Sequence, residues 1–141
     1  NNVCNSLIFG CSKTQTEIAI ATPKGFEPNS EVVKKSSKYT TVDLTTDPKS
    51  AVKDADIVMT DTFTSIHTSD PKRTEKFLPS FQVNQSLMEK AKNDAIFMHC
   101  LPAKREQEVS SSVIDGPQSV VWDQAENRLH SQKALLSSLS I

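Results

Sequence analysis

An α/β fold, with a mostly parallel sheet sandwiched between two layers of helices, is predicted by three observations. Short apolar runs of strand length alternate with segments of helical spacing along the whole chain. The connections between the strand-like runs are long enough to hold crossover helices, which parallel pairing requires. Most of the strand-like runs also stop at polar or proline-bearing tips, which is where open α/β sheets place their ligands.

The elements follow in order. Val3 to Lys13 carries apolar residues at Val3, Leu7, Ile8 and Cys11, the spacing of one helical face. Glu17 to Ala21 reads as a strand, closed by Thr22-Pro23-Lys24-Gly25. Pro28-Asn29-Ser30 offers caps for a helix reaching about Ser37. Thr40 to Leu44 is a weaker strand. Asp47 is placed as an N-cap with Pro48 at the first helical position, opening a short helix to about Asp54. Asp56 to Thr60 is a third strand, ending at Asp61. The polar stretch Thr62 to Ser80, with Pro71 and Pro79, reads as a long functional loop. Asn84 caps a helix to Ala91, and Ala95 to Cys100 is a fourth strand. Ser111 to Asp115 is a short helix closed by Gly116-Pro117. Ser119 to Trp122 is a fifth strand, and Ala125 to Ser140 a final amphipathic helix anchored by Leu129, Leu135, Leu136 and Leu139.

Composition narrows the function classes. The 141 residues suit one domain, and the 16 basic and 17 acidic side chains leave a net charge of -1, so nothing in the charge favours nucleic acid. No apolar run is long enough to span a membrane, and no signal-peptide pattern opens the sequence. Cys4, Cys11 and Cys100 form no CxxC pair, which argues for a reducing compartment and against a zinc site. Cys4 and Cys11, seven apart, read as small apolar residues of one helix face. The three glycines, Gly10, Gly25 and Gly116, permit neither GxGxxG nor a P-loop, so no dinucleotide or nucleotide cofactor is expected.

The fourth strand ends in chemistry. Ala95-Ile96-Phe97-Met98 runs into His99-Cys100-Leu101-Pro102, and Pro102, with no N–H, should stop the ladder. A thiol, an imidazole and freed backbone groups are thus expected at a strand tip, along one edge with Thr22-Pro23-Lys24, Asp61-Thr62 and Asp123-Gln124. Read from the residues alone, Cys100 would be a buried apolar thiol, Asp61 a cap or turn former and Arg128 half of a helix-face ion pair.

Several segments together change that reading. His99-Cys100-Leu101-Pro102-Ala103-Lys104-Arg105-Glu106-Gln107-Glu108-Val109 and Asp123-Gln124-Ala125-Glu126-Asn127-Arg128-Leu129-His130 resemble the signatures of the ornithine carbamoyltransferases. Asn1 to Ser6, Ala21 to Gly25 and Phe81 to Asn84 are similar to other segments of that family, with Phe81 where Tyr is common. The resemblance implies a Rossmann-like α/β domain, residues 1–124, that binds ornithine, followed by a helix, 125–141, that packs towards a separate carbamoyl-phosphate domain. It implies carbamoyl transfer from carbamoyl phosphate to the δ-amine of L-ornithine, giving citrulline in arginine metabolism, by a homotrimer in the cytoplasm or the mitochondrial matrix. Because the chain opens directly into a helix with no strand before it, it is expected to belong to a longer protein.

The resemblance also assigns roles. Cys100 and Arg128 fall at the reacting centre, with the Cys100 thiol or thiolate near the amine and Arg128 meeting carbamoyl phosphate. The Leu101 carbonyl faces the carbamoyl amide, and Asn2, Asp61, Ser65 and Ile66 hold the amino acid. Asn2 could equally be only a cap. Ile66 and His67 stand where the family usually has Met and Gly, which leaves the accepted amine open. His99 is expected to position its turn through a hydrogen bond, His67 to be an exposed loop imidazole, and His130 to lie on a helix surface. Aspartate-using relatives carry Pro where Cys100 stands, which favours an amine of the ornithine type. A relative acting on a modified ornithine or putrescine, or a non-catalytic binding domain, remain alternatives.

Overall fold

The caps read from the sequence at Asn29, Asp47 and Asn84 are all used, and Asn1 adds one that was not. In the structure, a computed structural model that describes residues 1–64 and 71–140, side chains close the open N–H groups of four helices. Helix α1 (Asn2–Thr14) is capped by Asn1, whose Oδ1 accepts from the Cys4 N–H at 2.8 Å. Asn29 accepts from the Glu31 and Val32 N–H groups at the start of α2 (Ser30–Ser36). Asp47 accepts from the Lys49 N–H at 3.0 Å to open α3 (Pro48–Val52), with Pro48 at the first position.

The chain divides into two compact units, residues 1–53 and 54–141. In the first, β1 (Ile18–Ala21) pairs in parallel with β2 (Val42–Thr45), Ile18 opposite Val42 and Ala21 opposite Thr45. Helix α1 packs on α2, and α3 lies against both strands. Ile8 is its fully buried anchor, with Ser12 and Ser36 also inside.

In the second unit, β3 (Ile57–Thr60) pairs in parallel with β4 (Ile96–His99). Helices α4 (Pro71–Phe77), α5 (Gln85–Met88), α6 (Ser111–Ile114) and α7 (Val121–Leu139) complete it. Asn84 caps α5 by accepting from the Leu87 N–H at 3.1 Å. The core gathers Val58, Val83, Leu87, Met88, Phe97, Val109, Val113, Ile114 and Val121. Phe97 has no exposed surface, the expected result for the centre of an unbroken apolar run. Helix α7 packs on β4. Its outer residues Leu129, Leu135, Leu136 and Leu139 are exposed.

Every strand pair is parallel and helices intervene between successive strands, so the Rossmann-like α/β class holds. Three sequence expectations do not. The fifth strand is reduced to a single bridge, Ser119 to Phe97, flanked by bonds from the Phe97 N–H to Gln118 O and from the Val120 N–H to Phe97 O. Helix α7 begins at Val121 and not at Ala125, because the buried Val121 packs as the helix's first anchor instead of extending a ladder. The polar stretch after Asp61 is also not all loop, since Pro71 opens α4. That helix is held by Phe77, which stacks on Phe63 at 4.7 Å between ring centroids. Phe77 also meets Phe81 edge-on, so aromatic contacts hold the helix where its own periodicity gives no signal.

The placement of Phe97 sets a stability expectation. Phe97→Ala should lower the unfolding free energy by about 3–5 kcal/mol, whereas Asn84→Ala, which removes one cap, should cost about 1 kcal/mol. Urea denaturation of the two variants measures both, and equal losses would contradict a central Phe97.

Candidate functional site

Strand register builds the site. Thr60 pairs with His99 at the end of the β3–β4 ladder, so the next residues, Asp61 and Cys100, leave the sheet side by side. The Cys100 thiol donates to Asp61 Oδ1 at 3.2 Å, and the Thr62 N–H donates to the same oxygen at 2.8 Å. Burial, then the hydrogen bond and charge of Asp61, push the Cys100 thiol up to about 11. Of the two forms considered from the sequence, these surroundings keep the thiol.

Beyond Cys100 the chain turns sharply. Leu101 has φ 53°, in the left-handed region that L residues rarely occupy, and the Leu101–Pro102 peptide is cis. The Leu101 N–H donates to His99 Nδ1 at 2.8 Å. Since Nδ1 accepts, the ring proton sits on Nε2, which donates to Glu108 Oε1 at 3.2 Å. The same oxygen accepts the Lys104 N–H at 2.6 Å. His99 thus makes the turn-positioning bond expected of it. Both side chains of the His99–Glu108 pair are fully buried.

Cys100, Leu101 and Arg128 meet at one cleft of about 520 Å³, lined also by Pro102, Arg105 and Trp122. Helix α7 delivers Arg128, and Gln124, one turn earlier, ties that helix to the strand tip by accepting the His99 N–H at 3.0 Å. The two guanidinium groups differ in availability. Arg105 is clamped by Asp115 through bonds of 3.0 and 2.7 Å, while Arg128 makes no ion pair among the described residues. Arg128 is therefore the cation of this cleft able to take a new anion or carbonyl oxygen.

Asn2 is the exposed first residue of α1, in the first unit, and the cap there is Asn1. Ser65, Ile66 and His67 fall outside the described residues. His130 lies exposed on α7 as expected, 3.0 Å from Glu126. Sequence reasoning gave Glu108 no role. Its one signal is a carboxylate directly before the apolar Val109, whose strand-like bridge to Val83 carries Glu108 inward. Among the described residues no group of three His, Cys, Asp or Glu is arranged to hold a metal ion, and no helix is long and apolar enough to cross a membrane.

Fold and site define an α/β domain that gathers a thiol, a carboxylate and a guanidinium without an ion pair among the described residues, at parallel strand ends and on the last helix. The profile "Aspartate/ornithine carbamoyltransferase, Asp/Orn binding domain" matches residues 1–139, and the chain belongs to that family. It is 62% identical over 141 residues to an ornithine carbamoyltransferase of Cenarchaeum symbiosum, covering all of this chain and 47% of that protein. The solved ornithine carbamoyltransferase of Pyrococcus furiosus superposes with a TM-score of 0.87 at 46% identity, over 94% of this chain and 44% of that one. The anabolic ornithine carbamoyltransferase of Campylobacter jejuni gives 0.90 at 34% identity, over 97% and 47% respectively. The chain thus spans about half the length of the relatives it matches.

The raised thiol sets a pH expectation. Alkylation needs thiolate, so Cys100 should react with iodoacetamide about 10²-fold more slowly at pH 8 than an unperturbed thiol, accelerating until about pH 11. Asp61→Asn removes the charge and should shift that profile to lower pH. Site-resolved mass spectrometry follows Cys100 apart from Cys4 and Cys11, and a profile unmoved by Asp61→Asn would show that burial alone sets it.

Proposed function

We propose that this chain supplies the amino-acid-binding half of an ornithine carbamoyltransferase. The reaction moves the carbamoyl group of carbamoyl phosphate to the δ-amine of L-ornithine, giving L-citrulline and phosphate. The observation that carries this reading is the cleft that Cys100, hydrogen-bonded to Asp61, shares with Leu101 and with Arg128, which makes no ion pair among the described residues. The names of the relatives support the choice of reaction.

The chemistry needs a neutral amine nitrogen to form a bond to the carbamoyl carbon while the bond to the phosphate oxygen breaks. The electron pair leaves with phosphate, and the proton that the amine gives up goes to the departing phosphate. Arg128 donates to the carbamoyl or phosphate oxygen as charge builds there. The Leu101 carbonyl accepts from the carbamoyl amide. Asp61 supplies the negative charge that holds the amino acid's nitrogen, and the protonated Cys100 acts as a hydrogen-bonding partner beside it. Asn2, Ser65 and Ile66 complete the amino-acid contacts in this reading. A second domain holds carbamoyl phosphate, residues 125–141 pack towards it, and the whole protein forms a homotrimer in the cytoplasm or the mitochondrial matrix.

Arg128→Ala in the full-length protein should lower carbamoyl transfer at least ~10²-fold, as removal of a transition-state donor does. Citrulline formation from carbamoyl phosphate is the assay, with putrescine and an N-acylated ornithine run beside ornithine. Product from one of those amines and none from ornithine would reassign the substrate, and unchanged turnover in the variant would remove Arg128 from the reacting centre. Residues 1–141 alone should give no product.

A further inference from the structure

In the proposed reaction the Leu101 carbonyl faces the carbamoyl group, and residue 101 holds an unfavourable backbone. A leucine at φ 53° lies in the left-handed region, which is unfavourable for any residue with a Cβ. Pro102 donates nothing to the turn, having no N–H. What meets residue 101 is the His99 imidazole, whose Nδ1 takes the Leu101 N–H at 2.8 Å.

The imidazole is itself fixed from behind. Its Nε2–H goes to Glu108 Oε1, and Glu108 is stitched to the adjacent segment by the Val83 N–H, which donates to the Glu108 carbonyl at 2.9 Å. Val109 continues this bridge, with the Ser110 N–H donating to Val83 O at 3.0 Å. An unbroken path of hydrogen bonds therefore runs from Val83 through Glu108 and His99 to the Leu101 peptide.

This path is a poor device for stability alone. Glu108 is fully buried, its Oε2 has no hydrogen-bond partner among the described residues, and the imidazole facing it is neutral. A buried carboxylate without a cation is expensive, and apolar residues of similar volume would pack the space at less cost. The arrangement does provide direction. Oε1 gathers the His99 Nε2–H and the Lys104 N–H, which holds the imidazole in the tautomer that leaves Nδ1 free to accept.

From this geometry, and resting on the proposed carbamoyl transfer, we infer that His99 and Glu108 are a positioning pair that sets the direction of the Leu101 carbonyl at the carbamoyl group. With no exposed surface, neither side chain reaches a substrate, so the pair acts through the peptide and not as acid or base. Without the Nδ1 acceptor, residue 101 relaxes towards negative φ and its peptide plane turns. The carbonyl then leaves its aim, a displacement of the kind that costs about 10² in rate.

The full-length protein tests this. His99→Ala should lower kcat about 10²-fold while changing the amine KM less than about threefold. His99→Asn, whose side-chain oxygen can sit where Nδ1 was, should recover kcat to within about tenfold of the parent. Glu108→Gln, which keeps an acceptor for both donors, should retain more kcat than Glu108→Leu. A folded His99→Ala variant with kcat within about threefold of the parent would overturn the inference, as would equal impairment of His99→Ala and His99→Asn. If His99→Ala does not fold, protein labelled with ¹⁵N in histidine and leucine decides. A scalar coupling across the hydrogen bond between the Leu101 amide nitrogen and His99 Nδ1 is expected, and its absence overturns the pair. Loss of carbamoyl transfer in the parent protein would refute the proposed reaction instead, while that coupling would still read the pair directly.

Discussion

The parallel register of β3 and β4 is the constraint on which the site depends. With Thr60 opposite His99, the chain can leave the ladder in only one way, with Asp61 and Cys100 as neighbours. A slip of one residue would turn every side chain of a strand to the other face, removing both the buried Phe97 and the thiol–carboxylate contact. The core thus fixes the chemistry: the apolar pattern that buries Val58 and Phe97 also determines which polar residues emerge together.

Charge in the second unit is divided by depth. Two carboxylates, Asp61 and Glu108, lie near the thiol and both act to keep it protonated, Glu108 more weakly and from deeper in the core. The exposed guanidinium of Arg128 stands across the cleft on α7. The cleft has Cys100, bonded to Asp61, on its strand side and the Arg128 guanidinium on its helix side. Opposite charges thus stand at the strand tip, on Asp61, and on the helix, on Arg128, and give this region a directed field. Arg105 lines the same cleft without adding to that field, because Asp115 neutralises it.

What was legible in the sequence was local. Asn29, Asp47 and Asn84 could be named as caps because a cap bonds within three residues of itself. The strand tip at His99 to Pro102 was legible because proline ends a ladder wherever it falls. Helix α4 was hidden, since its stability comes from Phe77 stacking on a distant Phe63 and not from its own periodicity. Val120 and Val121 read as a strand by propensity, yet packing of Val121 made it the start of a helix. The motif resemblance located Cys100, Leu101 and Arg128, and the structure brings these three to one cleft. Glu108 escaped because its partner lies across a turn in which Glu106 takes a positive φ, a reversal that spacing alone does not reveal.

Helix α7 has a mechanical consequence. Gln124 and Arg128 are one turn apart and share a face of a single rigid rod. The first grips the His99 amide, and the second presents its guanidinium to the cleft. Any roll of the helix swings the guanidinium and strains the hydrogen bond from the His99 N–H to Gln124 in the same motion. Torque applied at the exposed leucine end is therefore felt at the strand tip, with no intervening hinge to absorb it.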